Sequence, residues 1–210
     1  MFAPFTLEGT HVRLEPLSPD HVDELLEAAT GDRSTFAYTL VPSERPAMAA
    51  YVERALDHAA AGDQVPFATR SLALGRVVGA TRLYELEPWD WTALEPGATP
   101  APHGGVLDRA SIGHTWLGPA AQRTPVNTEA KLLMLGHAFE SWGVRAVRLQ
   151  TDSRNDRSRA AIARLGCSLD GVLRVDKPAP DGAVRHSAVF SMTADEWPAA
   201  RRRLEGRLRR

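Results

Sequence analysis

Cysteine occurs once in these 210 residues, at Cys167, and lysine twice, at Lys131 and Lys177. A single thiol excludes an internal disulfide and every multi-cysteine metal framework, and it fits a reducing, cytoplasmic setting. With so little lysine the positive charge falls to arginine, and a formal net charge of −1 provides no general basic field for nucleic acid. No run of about 18 apolar residues is free of charge, so no membrane-spanning helix is expected. Met1-Phe2-Ala3-Pro4 lacks the basic and apolar regions of a secretory leader. What is present is ordinary globular usage, 43% hydrophobic and 24% charged, enough at this length for one compact core.

Apolar and polar residues alternate from His11 to Leu17, as in a half-buried strand. Ser18-Pro19-Asp20 reads as a helix start, with a serine cap, proline in the first turn and an acid at the positive end of the dipole; Gly31 stops that helix. The stripe Met48, Tyr51, Val52, Ala55 and Leu56 predicts a second helix over about 45–60, ended by Gly62. Residues 65–72 and 76–86 read as a hairpin, and 110–117 as a further strand. Spacings of three and four from Val126 to Trp142 give a helix closed by Gly143. Strands over 144–151, 168–175 and 184–192, helices over 155–165 and about 194–208, and a turn at Pro180-Asp181-Gly182 complete the pattern. With no repeat and no linker, the order β-α-α-β-β-β-α-β-α-β-β-α describes one mixed α/β (α+β) domain over residues 1–210, a sheet covered by helices.

Residues 87–107 interrupt this pattern with four prolines and three glycines, a loop longer than most compact domains carry without a reason. Trp89 and Trp91 inside it form either a lid or substrate wall, or the pins of a surface insertion.

The strand–loop–helix over 116–135 bears most directly on chemistry. A helix N-terminus offers unpaired N–H groups and the positive end of a dipole, which suits a diphosphate; Arg123 adds charge, and Thr124 and Thr128 add hydroxyls. By itself this fits an ordinary capped helix equally well. Two strings carry more: Gln122-Arg123-Thr124-Pro125-Val126-Asn127-Thr128-Glu129-Ala130-Lys131-Leu132-Leu133-Met134-Leu135, followed by His137-Ala138-Phe139-Glu140, and Thr151-Asp152-Ser153-Arg154-Asn155-Asp156-Arg157-Ser158 continuing to Gly166. With Asp170-Gly171-Val172, the Asp181-Gly182 turn and Glu196-Trp197-Pro198, they resemble the GNAT superfamily of N-acetyltransferases, in the branch related to the RimJ/RimL ribosomal-protein enzymes. The resemblance spans roughly residues 76–198.

That resemblance implies a GNAT-type, mostly antiparallel sheet flanked by helices. It also implies acetyl-CoA as co-substrate without a metal, and direct transfer to an amine acceptor, a small molecule or a peptide N-terminus. Homodimers are frequent in the superfamily, and neither nucleic acid nor membrane is implied. The cofactor-binding residues it implies are Trp116, Leu117, Gln122, Arg123, Thr124, Val126, Asn127, Thr128, Asn155 and Ser158. One departure concerns the phosphate loop: Pro125 and Asn127 stand where the family has small residues, and proline has no N–H to donate, so Thr124, Val126, Asn127 and Thr128 must supply the amides.

Asn155 is either a contact of the pantetheine arm or the cap of its helix. Ser158 is either the acid for the departing thiolate or a solvent-facing serine. A base must take the proton of an amine that is charged near neutral pH. Glu85 and His114 are the candidates, although a lone strand histidine is more often a packing residue. Tyr84, Trp89 and Trp91 are the expected acceptor contacts. Two other classes compete: a non-catalytic acetyl-CoA-binding regulatory module, kept open by Pro125, and nucleic-acid binding through the arginines of 201–210, against which stands a solvated helix face.

Overall fold

The computed structural model describes residues 2–91 and 104–209. Leu7–Glu8 (β1), too short to show a period, pairs with Val12–Pro16 (β2), where Val12 and Leu14 are fully buried. Pro19–His21 forms a 3₁₀ turn rather than α-helix, with the Ser18 N–H donating to His21 Nδ1 at 3.1 Å. The helix proper is Val22–Ala28 (α1). Arg45–Ala60 (α2) follows, burying Met48, Tyr51, Val52 and Ala55 at helical spacing. Gly31 and Gly62 adopt φ of 85° and 87° past these two helices, a conformation that favours glycine because it has no Cβ.

Gln64–Ser71 (β3) and Arg76–Glu87 (β4) form the expected hairpin. Arg109–Leu117 (β5) leads through a 3₁₀ turn into Pro125–Gly136 (α3). The chain then widens into a π-helical turn, His137–Ser141, before Gly143 releases it at φ 67°. Ala146–Asp152 (β6), Asp156–Leu165 (α4), Ser168–Pro178 (β7), Val184–Thr193 (β8) and Trp197–Leu208 (α5) complete the molecule.

One eight-stranded sheet runs β1-β2-β3-β4-β5-β6-β8-β7, and every neighbouring pair is antiparallel except β5 and β6. Both faces are covered. On one, α3, α4 and α5 pack over Leu83, Ile112, Val147 and Phe190 of the sheet, contributing Met134 of α3 and Leu204 of α5 to the same cluster. On the other, α1 and α2 pack over Ala68, Val77, Ala80 and Trp116. Full burial of such side chains contributes about 1.5–3 kcal/mol each, which is why helices close both faces.

The parallel pair positions the site. Arg109–Ser111 faces Ala146–Arg148, and there the pairing ends. From Ile112 to Leu117 β5 continues along β4, while β6 continues along β8 to Asp152. The sheet is thus split between its two central strands, and the edge of β5 that faces β6 carries backbone groups free of ladder bonds.

Candidate active site

Four residues other than glycine have positive φ among the described residues: Glu85 (49°), His114 (51°), Arg123 (61°) and Val175 (54°). Such backbone is uncommon for L-residues and gathers where the surrounding structure enforces it. The first three are residues expected at the site from sequence. Glu85 lies in the register shift of β4 between Tyr84 and Glu87, and His114 in the shift of β5 opposite Ala80 and Arg82. Val175 lies in the shift of β7 between Leu173 and Lys177. Bulges of this kind re-aim side chains and end regular pairing.

At the closed end of the split the Glu85 carboxylate accepts from Ser111 Oγ at 2.6 Å, and Ser111 is the last residue of β5 paired to β6. The Tyr84 ring lies over Gly113, where an added Cβ would stand 2.7 Å from it. Its hydroxyl accepts from Gln150 Nε2 of β6 at 3.1 Å, so the tyrosine crosses the gap between the strands. Burial pushes the Tyr84 phenol up to about 12, so it remains a donor at neutral pH. His114 meets that ring edge-on at 5.2 Å. The imidazole keeps an exposed surface, yet the crowded cleft around it, and then the nearby cation of Arg82 and that of Lys177, push it down to about 4. It is neutral at pH 7 and a weak base.

At the open end, Thr124 caps α3: its Oγ1 accepts from the Val126 N–H at 3.4 Å and donates to the Ala121 carbonyl at 2.7 Å. The Val126 amide is thus partly engaged and its side chain is core. Among the described residues, no acceptor in the protein meets the amides of Arg123, Thr124 or Asn127. Arg123, Thr124, Pro125, Asn127 and Thr128 form one wall of a groove of about 330 Å³; Ala161, Arg164 and Leu165 of α4 and Leu204, Arg207 and Leu208 of α5 form the others. Sequence did not point to Arg164, and it weighed Arg207 only as one of the arginines of 201–210; the packing of α4 and α5 brings both to this groove.

Gln122 does not face the groove. Its Nε2 donates to the Leu117 carbonyl at 2.8 Å and to Thr35 Oγ1 at 2.9 Å, tying the end of β5 to the segment between α1 and α2. Arg157 donates to the Thr35 carbonyl at 2.8 Å, so the first turn of α4 joins the same point. The Trp116 indole is 4% exposed and reaches Tyr51 OH, so that side chain is part of the core. Asn155 caps α4, accepting the Ser158 N–H at 3.0 Å, and Ser158 is half-buried in the first turn.

Trp89 and Trp91 stand at the paired end of β5 and not beside its open edge. The Trp89 N–H and Trp91 Nε1 donate to the Asp108 carboxylate at 2.8 and 3.2 Å, and the Arg145 guanidinium lies 4.9 Å over Trp91. The rest of the insertion, residues 92–103, lies outside the described residues. Cys167 is buried, and burial pushes its thiol up to about 12, far from a nucleophile. No cluster of three or more His, Cys, Asp or Glu that could hold a metal ion, and no helix long and apolar enough to cross a membrane, is found among the described residues.

The sequence profile described as "Acetyltransferase (GNAT) domain" matches residues 11–168. A protein of T. thermophilus assigned as an acetyltransferase is 33% identical, with a TM-score of 0.78 over 99% of this chain and 100% of that one. A GCN5-related N-acetyltransferase from Brucella melitensis is 27% identical, with a TM-score of 0.82 over 98% and 86%. Mycobacterium smegmatis RimJ, solved with CoA-disulfide, shares the fold at 20% identity, with a TM-score of 0.77 over 97% and 95%. No curated protein matches the chain.

Proposed function

Because this chain belongs to the GNAT acetyltransferase family and is an acetyl-CoA-dependent acyltransferase, we propose that it passes the acetyl group directly to an amine, a peptide N-terminus or a small-molecule amine. The observation that carries this reading is the split between β5 and β6, with an arginine-rimmed groove at its open end and a carboxylate, a phenol and an imidazole at its closed end.

The residues fit the co-substrate. Its phosphates suit the free amides of Arg123, Thr124 and Asn127, the hydroxyl of Thr128 and the guanidinium groups of Arg123, Arg164 and Arg207. Its extended arm suits the unpaired edge of β5, where the backbone of Trp116 and Leu117 stands in for a missing strand. Acetyl-CoA supplies an activated thioester; the chain supplies orientation and proton transfer. Gln122 fixes the end of β5 and Asn155 fixes the first turn of α4, so that Ser158 can give a proton to the sulfur as it leaves. A β5 amide stabilises the charge that develops on the carbonyl oxygen. Glu85 takes the proton of the attacking amine, with Ser111 holding its carboxylate. His114 is neutral and shapes the approach, Tyr84 orients the acceptor, and Trp89 and Trp91 form a wall for an apolar part of it.

Incubating the protein with acetyl-CoA and a panel of amines, and following free thiol and acetylated product, tests the reading. Product that depends on protein, amine and acetyl-CoA together supports it. Binding of acetyl-CoA with no amine consumed overturns it.

A further inference from the structure

Arg82 of β4 is 5% exposed. Its Nη1 donates to Gln64 Oε1 at 2.9 Å, its Nε is buried without a partner, and the guanidinium lies 4.8 Å over the Tyr51 ring. Among the described residues no carboxylate stands within ion-pair distance of it. A buried cation held by one neutral amide and one ring leaves most of its desolvation uncompensated, and folded proteins rarely keep such a charge without a use. The edge left free, Nε with Nη2, is the edge that pairs with an oxyanion through two parallel hydrogen bonds.

Arg82 also lies at the cleft. It precedes Tyr84 by two residues, so both project from the same face of β4, the face covered by α2, and it pairs across to Gly113, beside the His114 bulge. From the far side of the split, Arg185 of β8 reaches the same region. Its Nε donates to Ser187 Oγ at 2.8 Å, Ser187 in turn donates to Asp176 at 2.7 Å, and the charge of Arg185 acts on the carboxylates of Asp152 and Asp176. The acids nearby are committed: Glu85 to Ser111, Asp176 to Ser187 and Lys177, and Glu87 to Arg109. Arg82, which has no carboxylate partner, and Arg185, which shares its charge with Asp152 and Asp176, therefore flank the Tyr84–His114 pair on the face opposite α3.

We propose that Arg82, flanked by Arg185, recognises an anion on the acceptor, so that the preferred acceptors are amines carrying a carboxylate or phosphate close to the reacting nitrogen. This rests on the amine-transfer reading above and narrows its substrate class. The bound anion would supply the charge that Arg82 lacks in the free protein, and its fork would set the amine at the closed end of the split.

The test uses matched acceptors with the whole chain and acetyl-CoA: amino acids against their amides, phosphoethanolamine against ethanolamine, and short peptides with Glu against Gln at the first two positions. Thiol release by the unaltered protein is expected to favour the anionic member of at least one pair tenfold or more in kcat/KM, mostly through KM. Carboxylate and phosphate pairs tell the two anion types apart. Arg82→Gln should reduce that preference below threefold by lowering kcat/KM for the anionic member far more than for the neutral one, and Arg82→Lys should restore part of it. Equal use of anionic and neutral members by the unaltered protein overturns this inference alone, and needs no variant to fold. A preference that survives Arg82→Gln overturns the role of Arg82. No thiol release with any amine overturns the amine-transfer reading and this inference with it.

Discussion

Lys131 offers a sharp test of how this core is built. It is 4% exposed inside α3, and its Nζ donates only to Thr81 Oγ1 at 3.0 Å and Thr115 Oγ1 at 2.7 Å. The buried acid two residues away, Glu129, is committed to the amides of Thr10, His11 and Val12 at 2.9, 2.6 and 2.9 Å. Burial without a counter-charge pushes the ammonium down from 10.5 to about 7. Between those values the unfolded chain holds a proton that the folded one has released, so stability rises with pH across about 7 to 10.5. Below that window both states are charged and the penalty is complete. At 1.36 kcal/mol per pH unit the gap caps the penalty at roughly 5 kcal/mol, and local relaxation makes about 2–3 kcal/mol the working expectation. Lys131→Met removes the charge and leaves Thr81 and Thr115 paired with each other at 2.8 Å. Urea unfolding from pH 6 to 10 should show this variant about 2–3 kcal/mol more stable at pH 6–7, with the advantage falling below about 1 kcal/mol by pH 10. Tyr84 and Cys167, both pushed up to about 12, favour unfolding as pH climbs past their ordinary values, but they do so equally in both proteins and cancel in the difference. A variant less stable at every pH by a constant amount would refute the reasoning.

Arg164→Ala and Arg207→Ala should each raise the KM for acetyl-CoA about three- to tenfold with kcat nearly unchanged, and more so at low salt, because each removes one charge from the groove rim. Initial rates at two ionic strengths check this. Glu85→Gln should lower kcat about a hundredfold at pH 7, with recovery as pH rises and more of the amine is already neutral, whereas His114→Ala should cost less than about tenfold; pH–rate profiles separate the two. Gly79→Ala would set a Cβ 2.0 Å from the Trp116 carbonyl, forcing β4 from β5 at a cost of about 2 kcal/mol or more, read as a lower urea midpoint and a weaker affinity for acetyl-CoA. Cys167 should stay silent to a thiol reagent until the protein unfolds, which a reaction with and without urea will show.

Much of this architecture was legible because it is written in period and punctuation. The stripe from Met48 to Leu56 and the stops at Gly31, Gly62 and Gly166 mark their elements without help from the tertiary structure. The strings from Gln122 and from Thr151 carried the family before any packing was known. What escaped is what depends on neighbours distant in sequence. β1 exists because Leu7 finds Leu14, and the π turn at His137 leaves that ring stacked on Phe5 while Phe139 reaches Trp197. The bulges at Glu85 and His114 have no sequence signal, since neither residue is a glycine. Arg82, Lys131, Arg164 and Arg207 become distinctive only once burial and missing partners are known. In a string, each is one basic residue among many. Asn155 and Trp116 show the converse: sequence named the residue, and only the structure shows that Asn155 Oδ1 caps its helix and that the Trp116 indole lies in the core.

The parted strands β5 and β6 are the proposed seat of the thioester. The most direct measurement is a crystal structure of the protein with acetyl-CoA. Phosphates against the amides of Arg123, Thr124 and Asn127, and the acetyl carbonyl between Ile112–Trp116 of β5 and Leu149–Asp152 of β6, are the predicted result. Density for the molecule elsewhere, with those strands closed against each other, would contradict it.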